Sequence, residues 1–140
     1  MKHSYLSYFF LLTTSLLLGC SKGTVSPEDA DAALLLGRWE LTQTDGGLSG
    51  KVQPADPAQK QEIVFDSQNR VTFLLNGVVT GTYTYSLFQA NSNVNRRPQT
   101  FLAYGARSGS SKEFIERISA AKLVVVEDYA DGLGYYYTRR

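Results

Sequence analysis

From Gly37 to the C-terminus, apolar and polar residues alternate with a period of two, and turn-forming residues break the pattern at regular intervals. The alternation predicts eight strands: Gly37–Thr44, Gln61–Asp66, Arg70–Leu75, Val78–Phe88, Gln99–Arg107, Lys112–Ser119, Lys122–Tyr129 and Tyr135–Arg139. In the first, Trp39, Leu41 and Gln43 face one way, and Arg38, Glu40, Thr42 and Thr44 the other. In the fourth, Val79, Gly81, Tyr83, Tyr85 and Leu87 oppose a hydroxyl-rich face, as expected of a strand with one side in a core and the other in water. Asn76-Gly77 is a strong two-residue hairpin signal, and Asn69 suits a left-handed turn position. Two segments, Asp45–Lys60 and Gln89–Pro98, are long enough to be expected to carry function.

Eight short strands joined mostly by hairpins, with no helix between them, predict an all-β, antiparallel up-and-down barrel. An open sheet of that length exposes two edges, and closure removes them. A two-sheet sandwich satisfies the same pattern. A short helix is expected before the first strand. Ser26 can cap it, Pro27 suits its first position, Glu28 and Asp29 favour its positive end, and Gly37 stops it.

The first twenty residues have a different character. A short positive start, Met1-Lys2-His3, leads into a mostly apolar run from Tyr5 to Leu18. That run is too short for a comfortable membrane span and suits the core of a signal peptide. It ends in Leu17-Leu18-Gly19-Cys20, which resembles the lipobox of bacterial lipoproteins. The resemblance implies cleavage before Cys20 and acylation of the new N-terminus, and Ser21 beside it resembles an outer-membrane sorting residue. Dual acylation gives stable anchoring where one chain does not. The expected organisation is a signal peptide over 1–19, a lipidated Cys20 with a flexible tether over 20–33, and a barrel over 34–140. The protein is then expected in the cell envelope, attached to a membrane. The tether, fully extended over 21–33, reaches roughly 45 Å.

Composition narrows the chemistry. Lys plus Arg number 14 against 13 Asp plus Glu, and Lys2 leaves with the leader, so the mature charges balance. That argues against a nucleic-acid binder, which needs a basic face to displace counterions. The only His, His3, also leaves, and the only Cys is Cys20, so the commonest general base and the thiolate nucleophile go together. Asp128-Tyr129-Ala130-Asp131-Gly132 has too few acids for a calcium loop and reads as an acidic turn. Glu113 and Glu116 point to opposite faces, as do Glu127 and Asp128. Arg96-Arg97 reads as a solvated loop tip rather than an anion clamp. No catalytic residue, metal site or cofactor is expected, and the reading is of a non-enzymatic protein.

Gly37-Arg38-Trp39 at the first strand and Arg139-Arg140 at the last resemble the lipocalin pattern, a Gly-x-Trp opening and a late basic residue. The stretch from Leu34 to Arg140 is similar to the lipocalin-like domains of small lipoproteins of Bacteroidetes-type bacteria. The shared motifs are Leu35 to Trp39, Phe65 to Val71, Gly81-Thr82-Tyr83 and Leu123 to Val125. The resemblance implies that Trp39 closes the barrel bottom, with Gly37 beside it and Arg139 packed over it. The long C-terminal helix and the disulfide of larger lipocalins are missing, and the strands are short.

Trp39, Phe65, Phe73, Tyr83 and Tyr85 fall on the face assigned inward, and Tyr104 and Tyr136 are expected to join them. Buried tyrosine hydroxyls need partners, which a ligand or water can supply. Two functions follow. One is a barrel binding a small hydrophobic or aromatic molecule among these seven residues. The other is an interaction or inhibitor-type barrel engaging an envelope protein through its two long loops.

Overall fold

The structure is a computed structural model, and it describes residues 26–47, 50–105 and 112–140. Cys20, the leader, the tether up to Val25 and the Ser108–Ser111 turn lie outside the described residues. The described residues form one helix, α1 (Pro27–Leu35), and nine strands: β1 (Gly37–Gly46), β2 (Gln53–Pro54), β3 (Gln61–Phe65), β4 (Arg70–Leu75), β5 (Val78–Asn91), β6 (Pro98–Tyr104), β7 (Glu113–Ile118), β8 (Lys122–Glu127) and β9 (Leu133–Arg139). Each strand from β3 to β9 pairs antiparallel with its sequence neighbour, and β1 pairs with both β3 and β9. Eight strands thus close into a barrel, not a sandwich. The ninth, β2, is a two-residue strand inside the first long loop and continues the β1 edge beyond β3.

The helix begins as its sequence dictates. Ser26 caps it by accepting from the Asp29 backbone N–H at 3.1 Å, with Pro27 in the first turn. Its last residue, Leu35, is fully buried in the core. Asp31 accepts a 2.6 Å hydrogen bond from the Thr100 hydroxyl. The helix therefore belongs to the folded unit, so the part of the 20–33 tether from Pro27 onward is docked on the barrel.

The core fills the half of the barrel beneath the helix. Leu35, Trp39, Ile63, Phe65, Val71, Tyr85, Leu102, Ile115, Leu123 and Val125 pack as one buried cluster. Phe65 and Tyr85 meet edge to face at 5.1 Å, a geometry aromatic pairs favour.

Bulges revise the expected alternation. An extra residue at Thr42 in β1 sets Leu41 opposite Tyr137 but Gln43 opposite Tyr136, so Gln43 turns to the outer face. An irregularity at Thr80 sets Val79 opposite Leu74 and leaves Val79 exposed rather than inward. A third, at Glu116, shifts the β7–β8 register.

A cavity at the barrel mouth

Strand direction gives the barrel two ends. The starts of β1, β4 and β8 and the ends of β3, β7 and β9 gather at the end covered by α1. There Trp39 is fully buried, and its indole N–H donates to the Leu35 carbonyl at 2.7 Å. The Arg139 guanidinium lies 4.1 Å above the indole ring. It also donates to the carbonyls of Leu34 and Leu36, and to that of Ala120 at 2.6 Å. Gly37, at φ +121°, leaves room for this arrangement, because a Cβ there would stand 2.6 Å from an Arg139 nitrogen. One cation thereby satisfies carbonyls at the helix end and ties first strand to last.

The opposite end holds a cavity of about 190 Å³. Its walls are Gln61, Ile63, Phe73, Tyr104, Glu113, Glu127, Tyr135 and Tyr137. Phe73 meets Tyr104 edge-on at 5.6 Å and Tyr83 at 5.9 Å. Tyr83 in turn lies across Gly81, where a Cβ would stand 2.8 Å from its ring. Glu113 and Glu127 are direct cross-strand partners of β7 and β8, so both project to the same face. Glu113 is buried, and Glu127 accepts from the Tyr135 hydroxyl and the Leu133 backbone N–H, both at 3.0 Å. Among the described residues no group of three or more metal-binding side chains is gathered anywhere.

The seven aromatic residues expected to form a pocket divide into four sets. Trp39, Phe65 and Tyr85 lie in the packed core and form a floor. Burial, with a smaller contribution from Asp66, pushes the Tyr85 phenol above its ordinary pKa. Phe73 and Tyr104 line the cavity, and Tyr83 backs Phe73. Tyr136 is on the outer face, opposite Gln43 and Val124, and donates to Asp45 at 2.5 Å. That hydrogen bond, with burial and the charge of Asp45, raises its pKa to about 12. Alternation counted back from Arg139 places Tyr137 and Tyr135 inside instead, and they are the residues that take the expected place of Tyr136.

Sequence reasoning missed the Glu113–Glu127 pair. A register carried unbroken from Ile118–Leu123 would set Glu113 opposite Asp128, and only the bulge at Glu116 brings Glu127 there. Asp128 itself is a buried tie. Its carboxylate accepts from the Ser92 hydroxyl at 2.6 Å, the Asn93 side chain at 2.7 Å and backbone N–H groups of Asn93 and Val94. Burial raises its pKa, and these hydrogen bonds outweigh that and leave it below the usual carboxylate range. The tip of the β5–β6 hairpin, which carries the exposed Arg96 and Arg97, is drawn by this bond across β7 to the end of β8. On the same outer wall Phe88 stacks on Phe101 at 5.4 Å and Phe101 meets Phe114 at a tilt at 5.8 Å, with Phe101 and Phe114 each 3% exposed.

Comparison with protein-family models, with curated proteins and with solved structures finds no significant match to this chain.

Proposed function

We propose that this protein is a lipocalin-like lipoprotein of the cell envelope, anchored through Cys20, whose barrel binds a small ligand at its mouth. The observation that carries the binding half is the 190 Å³ cavity above a solid floor. A space that size holds about six waters, or one single-ring molecule, since a water's share of liquid is about 30 Å³. The floor of Trp39, Phe65 and Tyr85 rules out a long acyl chain running the length of the barrel. Aromatic walls with three polar side chains, Gln61, Glu113 and Glu127, favour a compact ring that carries hydrogen-bond donors over a purely apolar one.

Saturation-transfer NMR with a library of single-ring compounds tests the binding half. Ligands should contact the mouth, and Ile63→Phe, which fills the cavity from below, should abolish the signal while the protein stays folded. Retention of binding in that variant would remove the mouth as the site. The anchor is tested by fatty-acid labelling, which Cys20→Ala should abolish.

A second reading is a barrel that engages an envelope protein through its surface. The half-exposed Val94 and Tyr129, beside the Asp128 tie, favour it. Crosslinking that survives replacement of Val94 and Tyr129 by Ser would count against it.

A further inference from the structure

The tip of the β5–β6 hairpin, Ser92 to Arg97, is held more firmly than an exposed turn requires. Its donors converge on Asp128: the Ser92 hydroxyl at 2.6 Å, the Asn93 side-chain amide at 2.7 Å, and the Asn93 and Val94 backbone N–H groups at 2.8 and 3.3 Å. The Ser92 hydroxyl also accepts from the backbone N–H of Val94 at 3.1 Å and of Asn95 at 3.2 Å. The Arg96 N–H donates to the Ser92 carbonyl, the Arg97 N–H to the Asn95 side chain, and the Ser92 N–H to the Arg97 carbonyl. Ser92 and Asp128 are only 1% and 2% exposed. Burying a carboxylate costs free energy that its hydrogen bonds must offset. The tie lies outside the core cluster, so what it fixes is the tip.

Arg96 is strained. Its φ is +59°, a left-handed backbone that residues other than glycine adopt uncommonly. The other non-glycine residues with such a backbone among those described are Asn69 and Asn76, and asparagine tolerates it in turns. Strain held in place by many surrounding bonds gathers at functional loops. What this loop presents is the half-exposed Val94, followed by the exposed Arg96 and Arg97. Neither arginine is held in an ion pair among the described residues. Beside them Asn93, Val94, Lys112, Asp128, Tyr129 and Ala130 line an open groove. Its two charged residues are Lys112, which is exposed, and Asp128, which is already bonded to the tip. The exposed acid closest in sequence is Asp131, in the turn after β8.

We propose that this tip is a preformed recognition loop for an acidic segment of a protein partner, whose carboxylates meet Arg96 and Arg97 while an apolar side chain lies between Val94 and Tyr129. This rests on the second, surface-docking reading above and adds the charge of the partner to it. The planar guanidinium fork matches a carboxylate through two parallel hydrogen bonds. A tip fixed before the encounter gives up less freedom on binding. An anionic bilayer is the poorer match. Arg96, Arg97 and Lys112 fall short of the clusters of about four to eight cations that mark lipid recognition, and the groove offers an apolar side chain a seat.

The test is an NMR titration of the full chain in neutral detergent micelles. The probes are a blocked peptide with one Leu between two pairs of Glu, and the same peptide with Lys in place of Glu. The acidic peptide should shift the amides of Val94, Arg96, Arg97 and Tyr129, and its binding should weaken with added salt. The basic peptide should not bind. Replacing Arg96 and Arg97 together by Ala should weaken the acidic peptide about tenfold. Asp128→Ala then separates shape from charge. It removes a negative charge beside the tip, so attraction by charge alone predicts tighter binding, whereas a preformed tip predicts binding weaker by about threefold or more. Ser92→Ala loosens the same tie at constant charge, should also weaken binding, and decides the point if thermal melts show Asp128→Ala unfolded.

Unchanged affinity in the double arginine variant would overturn the proposal, as would tighter binding in folded Asp128→Ala. Arginine-dependent binding to phosphatidylglycerol vesicles, with none to the acidic peptide, would assign the tip to a membrane instead. If neither peptide binds while crosslinking still depends on Val94 and Tyr129, the acidic partner falls and the surface reading stands. If that dependence is lost too, both fall.

Discussion

At the closed end of the barrel, the polar groups are answered by the chain itself: the Trp39 N–H meets Leu35, and Arg139 meets Leu34, Leu36 and Ala120. At the mouth, an equally aromatic set of side chains lines a cavity, although there too the chain holds polar groups, as Tyr135 and the Leu133 N–H hold Glu127. The same eight strands make both ends. What differs is that α1 covers one end, whereas the mouth has turns and loops. An eight-stranded barrel is just wide enough for its own side chains to fill or to hold one small ligand, and at the covered end Leu35 of α1 joins the strand residues in filling it. The contrast suggests that the closed end sets stability and the mouth is free to set specificity.

Breaking the closed end should have the largest effect. Trp39→Ala removes a fully buried indole and should cost about 3–5 kcal/mol in urea unfolding, near the whole stability of a small domain. Arg139→Ala comes next, at about 2 kcal/mol, because it removes the cation over the indole and leaves the helix-end carbonyls without this donor. Arg139→Lys should recover less than half, since a point charge cannot reach three carbonyls and stack at once.

The outer glutamate pair, Glu40 on β1 opposite Glu62 on β3, joined by Lys60 at 3.0 and 3.2 Å with Arg140 on Glu40 at 2.7 Å, sharpens the comparison through pH. Hydrogen bonds from Arg140 and Lys60 lower the Glu40 pKa from 4.5 to about 2. A carboxylate held below its unfolded pKa contributes stability that is complete above 4.5 and lost as pH falls toward 2. The melting temperature of the parent should therefore drop over that interval more steeply than that of Glu40→Gln. If the two curves run parallel, the outer pair is not the electrostatic joint described here. The smallest effect is local. Tyr136 should ionise near 12 by absorbance titration, and Asp45→Asn should bring it back toward the ordinary 10 with little change in stability.

Much of the barrel was legible because alternation and turn chemistry agree. Arg70–Leu75 forms as expected, and Asn76-Gly77 turns the chain with φ of 51° and 79° at its two positions. The short helix was legible from its cap and its proline. The candidate site was less so. Each bulge moves the face of every residue beyond it, and the extra residues, Thr42, Thr80 and Glu116, carry no turn signal in their own sequence. Hence Gln43 and Val79 were read on the wrong face, and the Glu113–Glu127 pair was invisible. The two-residue β2 was also hidden, since Gln53-Pro54 has no alternation to detect. Tyr136 differs from these. Its outward direction follows from counting by twos back from Arg139, so the information was present.

Docking of α1 onto the closed end also fixes which end of the barrel the first described residues occupy. Pro27, at the start of the helix, stands beside Pro98 and Arg117, and the cavity lies at the opposite end of the barrel. Were Cys20 the lipid anchor proposed above, the six residues from Cys20 to Val25 would span roughly 20 Å at most. The plugged end would then hang close to the bilayer with the opening turned toward water. Solutes would reach it by diffusion through the aqueous compartment, and a lipid moving sideways within the membrane would meet only the stopper.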